Sequence, residues 1–167
     1  MKAIFIRVVI IILFCSSVNR GLTQTLPVFD LIKLEKTSDY RKAEPFVLQT
    51  ANYLLATPFK SENPDRLKSI QFLIGWMTGT PDYSFTLDET TSKIFKGNDD
   101  ILGIYLAALA KYALENKDSA KDAKHLKLNA VILLLNYCEN KNNNMRMTKQ
   151  LKKLSEARAS GKLEEAL

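Results

Sequence analysis

Residues 98–139 read NDDILGIYLAALAKYALENKDSAKDAKHLKLNAVILLLNYCE, and this stretch decides the fold. Asn98 stands where a side-chain oxygen can cap a helix. Asp99 and Asp100 follow in the first turn, where the positive end of the helix dipole favours acids. Apolar residues then fall at 101, 102, 104, 105, 106, 109 and 112, leaving only a narrow polar stripe. That pattern predicts a buried helix over about 99–116. A short polar turn at 115–120 follows, and Asp118 or Ser119 is expected to open a second helix reaching about Glu139. Its first two turns carry Lys121, Lys124 and Lys127, and residues 128–138 are nearly all apolar. Two long helices joined by so short a turn form an antiparallel hairpin. This hairpin is the expected core.

Outward from it, helix-length segments repeat. Asn63-Pro64 is the clearest helix start in the chain, an N-cap followed by Pro at the first helical position. The helix it opens runs to about Thr78, with Leu67, Ile70, Phe72, Leu73, Ile74, Trp76 and Met77 available for burial, and Gly79 and Pro81 stop it. Glu44-Pro45 reads as the opening of another helix over 46–56, because Pro in a first turn loses no hydrogen bond. Residues 26–43 are then a short helix or a lead-in packed on the domain. Between 79 and 97, GTPDYSFTLDETTSKIFKG leaves room for one short helix near 87–95. The Asn-rich residues 140–144 form a loop. From about Thr148 a last helix carries Leu151, Leu154 and Ala157 among Lys149, Lys152, Lys153 and Arg158, until Gly161 interrupts it. No strand-turn-strand pattern occurs. The expected fold is all-α, a single-domain bundle of four to six helices around the central antiparallel hairpin, preceded by a signal peptide.

That leader is MKAIFIRVVIIILFCSSVNRGLTQ, residues 1–24. Lys2 and Arg7 charge its head, 8–15 is unbroken apolar sequence, and Ser16, Ser17, Asn19, Gly21 and Thr23 follow. A basic head, a short apolar core and a small-residue exit mark a signal peptide. The expected cut lies ahead of Gln24, which gives a leader over 1–23 and a helical domain over 24–167. The apolar part is too short for a permanent span, which needs roughly 20 apolar residues. A lipid anchor through Cys15 is not expected, since the bulky Phe14 stands where such processing needs a small residue. The chain is therefore expected outside the cytoplasm, in a periplasm or the extracellular space, with no transmembrane segment in its mature form. Loss of Lys2, Arg7 and Arg20 takes the formal net charge from +6 to +3. Export and this modest charge argue against nucleic acid as a partner.

The residues available for chemistry are few. His125 is the only histidine, so zinc sites built on two or three His are excluded. A Ser-His-acid or Cys-His site would have to use His125. Its helical neighbours Lys121, Asp122, Leu128 and Asn129 describe a solvated face. After cleavage Cys138 has no partner for a disulfide, and its apolar setting near a helix C-terminus suits a buried hydrophobe rather than a thiolate. Asp82, Asp88, Glu89, Asp99 and Asp100 are the carboxylates that an acid-pair reaction on glycans would draw on. Asp88, Glu89, Asp99 and Asp100 already have a reason to stand in first helical turns. No Gly-rich phosphate loop, CxxC pair or calcium loop is present. The sequence thus identifies no catalytic set, no metal ligands and no cofactor.

The least ordinary stretch is GWMTGTPDYSF, residues 75–85, which holds the only Trp. Trp76, Asp82, Tyr83 and Phe85 are the candidate binding residues, since aromatic side chains on a loop above a rigid scaffold are common interface anchors. The competing reading makes Trp76 and Phe85 a plug at the end of the bundle and Asp82 a turn or cap residue. The leading expectation is an exported, non-enzymatic binding or interaction module whose partner is a protein or small ligand of the cell envelope. Two alternatives are a carboxylate-based hydrolase acting on glycans and a peripheral membrane-surface protein that uses its basic last helix.

Overall fold

A computed structural model describes residues 26–167; the leader, Cys15 and the expected cleavage site lie outside them. Six α-helices follow in chain order: α1 (Thr37–Ala56), α2 (Pro64–Gly79), α3 (Glu89–Phe95), α4 (Asp99–Glu115), α5 (Ala123–Glu139) and α6 (Lys149–Ala159). Among the described residues there is no strand. No helix there is long and apolar enough to cross a membrane.

α4 is the centre of the bundle and packs against α1, α2, α3 and α5. Ile104, Tyr105, Ala107, Ala108, Ala110 and Ala113 on it are completely buried. The run of alanines lets neighbouring helices close in on α4. Gly103 takes this furthest: a Cβ there would lie 2.5 Å from Cδ1 of Ile70, so α2 crosses α4 over a missing side chain. α5 adds Ala130, Val131, Leu134 and Leu135 to the same core. The two helices of the expected hairpin lie in the core, which they share with the buried faces of α1 and α2.

The helix starts follow from local side chains. Asn63 Oδ1 accepts from the amides of Asp65 (2.9 Å) and Arg66 (3.3 Å) at the head of α2. Asn98 accepts from the Ile101 amide (3.1 Å), and Thr148 Oγ1 from that of Leu151 (3.2 Å). Two starts differ from expectation. α5 opens at Asp122, whose carboxylate accepts from the amides of Lys124 (2.8 Å) and His125 (3.2 Å). Residues Ser119–Lys121 form a 3-10 turn instead, which tucks Ala120 into the core. α1 begins at Thr37, well before Pro45, with Asp39 accepting from the Lys36 amide (3.0 Å). Pro45 sits inside this helix, where it cannot bond the Arg41 carbonyl. Ala43, Val47, Thr50, Ala51 and Leu54 form one continuous buried face on either side of it. Their burial outweighs a proline cost of about 3 kcal/mol, since each large aliphatic side chain contributes about 1.5–3 kcal/mol.

One end of the bundle is closed by polar groups. The Thr57 carbonyl, at the C-terminus of α1, accepts from Arg66 Nη1 (3.3 Å) and from the Tyr137 hydroxyl (2.8 Å). Arg66 is 4% exposed and lies over the Phe59 ring, 5.5 Å from its centroid. A cation at a helix C-terminus meets the negative end of the dipole. The Asn-rich loop joins this clasp: the Phe59 amide donates to the Asn143 carbonyl (2.7 Å), and Asn143 Nδ2 donates to that of Tyr137 (2.9 Å). Beside it Cys138 is buried, and burial pushes its thiol up to about 12. α6 lies against α3 and α5, with Leu151 and Leu154 buried. The apolar stripe that a membrane-surface role would use is thus spent inside the protein.

Candidate functional site

The candidate residues gather where α2 ends beside α1. Trp76, in the last turn of α2, is completely buried, and its indole N–H donates to the Tyr40 carbonyl (2.9 Å). Tyr40 then passes Gly79 so closely that a Cβ there would stand 2.1 Å from its hydroxyl, which donates to the Leu34 carbonyl (3.0 Å). Gly79 therefore does more than end a helix. It is the gap through which Tyr40 reaches residues 26–36.

Beyond Gly79 the chain turns over Trp76. The Tyr83 and Phe85 rings lie 5.7 and 5.8 Å from the indole and 6.2 Å from each other, a spacing at which aromatic rings attract. Both are half-buried. Asp82 lies in the bend after α2 and caps no helix. Its carboxylate takes a two-pronged ion pair from Arg41, Nε at 2.7 Å and Nη2 at 2.9 Å, which ties the loop to α1. The guanidinium holds the Asp82 carboxyl below its usual range. A second ion pair, Lys117 to Glu44 at 2.6 Å, stands close by and joins α1 to the α4–α5 connection. Burial, followed by the Glu44 charge, raises the Tyr83 phenol, and Lys117 partly offsets them.

No main-chain group of residues 81–87 bonds another main-chain group among the described residues. The loop is fixed by its side chains, and its peptide groups are left for water or a partner. Sequence reading placed the aromatic residues but missed Arg41, Glu44 and Lys117. They lie 41, 39 and 34 positions from Asp82 or Tyr83, and nothing local signals such pairings.

Of the other candidate carboxylates, Asp88 and Glu89 are ion-paired and Asp99 and Asp100 stand exposed in a first helical turn. Asp88 caps α3, accepting from the Thr91 amide (2.8 Å), and pairs with Lys127 (2.9 Å). Those bonds hold its carboxyl down at about 2. Glu89 pairs with Lys93 (2.9 Å). Asp99 and Asp100 occupy the first turn of α4. Every carboxyl displaced from its ordinary value (Asp39, Asp82, Asp88 and Asp122) moves down, whereas a general acid at neutral pH must be raised. His125 is exposed, 3.3 Å from Asp122, which is spent capping α5. Among the described residues no three His, Cys, Asp or Glu side chains gather as metal ligands.

A further surface feature lies at the other side of α1, where residues 27–33 border an open groove of about 420 Å³ together with Ala43 and Phe46. Val28 and Leu31 are 64% and 79% exposed there. Compared with known families, with characterised proteins and with solved structures, the chain matches none at a significant level.

Proposed function

We propose that this protein is an exported, non-enzymatic binding module that engages a protein or small ligand of the cell envelope through the loop at 81–87. One observation carries the reading. Among the described residues the main chain of 81–87 bonds no other main-chain group, yet the loop is fixed by the Arg41–Asp82 pair and by Trp76 beneath Tyr83 and Phe85. A segment held in one conformation before binding loses little entropy on binding, and that raises affinity. Tyr83 and Phe85 present half-exposed aromatic surface, the type that dominates binding energy at interfaces. Trp76 serves as the foundation below them. The leader supports export, and the ion-paired, lowered carboxyls of Asp82 and Asp88 favour binding over hydrolysis.

The test is capture from the organism's own envelope extract by the immobilised chain. Three proteins are compared: the parent, Tyr83→Ala, and Leu67→Ala as an exposed control on the outer face of α2. The parent and Leu67→Ala should retain the same component. Tyr83→Ala, with unchanged helical circular dichroism, should lose it by roughly tenfold or more, as for an interface anchor. Equal capture by all three would overturn the reading.

A further inference from the structure

The described chain divides its charge unevenly. Residues 141–162 hold seven Lys and Arg and a single acid, Glu156, a net +6. The other described residues, 26–140 and 163–167, are net −3. The positive charge is densest on α6 and the turn before it, where Arg146, Lys149, Lys152 and Lys153 fall within eight residues. Lys149, Lys152 and Lys153 are spaced three and four apart, which sets them side by side on one face of the helix. All four cations are exposed, and Leu151 and Leu154 lie on the opposite, buried face.

These charges are not offset. Among the described residues none of the four forms an ion pair. Arg158 is the cation on α6 that does, with Glu139, whose second oxygen accepts from Ser155 (2.6 Å). Glu156 stands one turn beyond Lys152, exposed and paired with neither neighbouring lysine, so the face keeps a net +3. Like charges at these spacings repel along a helix, and nothing inside the protein relieves them.

The form of the face narrows its partner. No apolar residue between 146 and 156 is exposed, and Met147 is half-buried. A protein interface needs an apolar or aromatic centre that sheds its water, and this face has none. Compact anions are held by arginine forks, whereas three of these four cations are lysines, point charges on flexible stems. Such charges suit a broad anionic surface. An exported chain, as its leader suggests, meets bilayer surfaces.

We propose that α6 and the turn before it hold the protein against an anionic phospholipid surface by charge alone, with Arg146, Lys149, Lys152 and Lys153 facing the headgroups. The apolar stripe of α6 is buried, so the helix does not insert, and the contact is peripheral and salt-sensitive. The recognition loop takes no part in it.

The test is sedimentation of the exported form, residues 24–167, with phosphatidylcholine vesicles and with vesicles of equal parts phosphatidylcholine and phosphatidylglycerol. At low ionic strength the parent should sediment with the anionic vesicles only, and about 1 M salt should release it. Each lysine near such a surface strengthens partitioning about fivefold. The triple variant Lys149→Gln, Lys152→Gln, Lys153→Gln should therefore lose about a hundredfold, with the melting temperature of the parent or higher. Lys33→Gln, Lys42→Gln, Lys68→Gln removes the same charge ahead of α1, on α1 and on α2, and should stay within a few fold of the parent. Tyr83→Ala should bind as the parent does, which separates this surface from the loop. The proposal is overturned if neutral vesicles bind the parent as well as anionic ones, if anionic vesicles bind none of it, or if the two triple variants lose equally. Displacement of the bound parent by polyglutamate at equal charge concentration would also overturn it and assign the face to an acidic polymer.

Discussion

Gly79→Ala sets two effects against each other. An exposed glycine at a helix end usually gains up to about 1 kcal/mol on becoming alanine, because alanine is the better helix former. Here the new Cβ would stand 2.1 Å from the Tyr40 hydroxyl and 2.2 Å from its Cζ, so the ring must leave its place and its bond to the Leu34 carbonyl. Overpacking typically costs 1–3 kcal/mol, and a hydrogen bond about 1 kcal/mol more. The sign reverses: Gly79→Ala is expected to destabilise by about 1–3 kcal/mol in urea unfolding, whereas a helix-propensity account predicts a gain. Single residues were legible in the sequence where chemistry is local. Trp76 announces itself by rarity, and His125 by its polar neighbours. Tyr105 does not, because a tyrosine amid alanines and leucines reads as core. Its buried hydroxyl has no hydrogen-bond partner among the described residues, a matter of what α5 and the loop fail to place beside it.

Helices were legible wherever a capping side chain marks the first turn. Asn63, Asn98 and Thr148 cap as the sequence suggests, and each precedes an apolar stripe that the bundle buries. The start of α1 was hidden, since Pro45 resembles a helix opening more than an interior residue, and only the face buried against α4 reveals otherwise. The start of α5 was offset because Asp118 and Asp122 are both competent caps. The choice is made by burial of Ala120, a tertiary effect. Asp88 ties two elements together, capping α3 and reaching Lys127 on α5. Its folded pKa of about 2 lies below the ordinary 3.8. Its ionised form therefore stabilises the fold fully above the ordinary value, and this contribution is lost as pH falls from about 4 through about 2. The side chain is 43% exposed, so screening reduces the effect to about 1 kcal/mol. Asp88→Asn should flatten the stability profile over that window, measured by denaturant unfolding at a series of pH values. A slope as steep as the parent's would contradict the assignment.

At the scale of the molecule, the bundle stands without a disulfide among the described residues, and Cys138 is free and buried at its polar-clasped end. Its thiol, pushed up to about 12, is un-ionised at neutral pH and sealed by neighbouring helices. Ellman's reagent should react with it only as fast as the whole bundle opens, so labelling should accelerate in step with global unfolding in urea. Rapid labelling in native buffer would show that α5 opens on its own. The all-α architecture was legible as a whole, because helix-length apolar segments alternate with Asn, Asp, Gly and Pro punctuation. The recognition surface was legible only in part. Its aromatics lie close together in sequence, while the ion pairs that fix them join α1 to positions more than thirty residues away.

Residues 81–87, which make no main-chain hydrogen bonds to one another or to the other described residues, are expected to be rigid before any partner arrives. Backbone 15N order parameters of the unliganded chain test it most directly. Values near 0.85 are expected through this loop, close to those of the helices, with a fall below about 0.6 in Arg41→Ala, where Asp82 loses its anchor. Values below about 0.6 in the parent would contradict it.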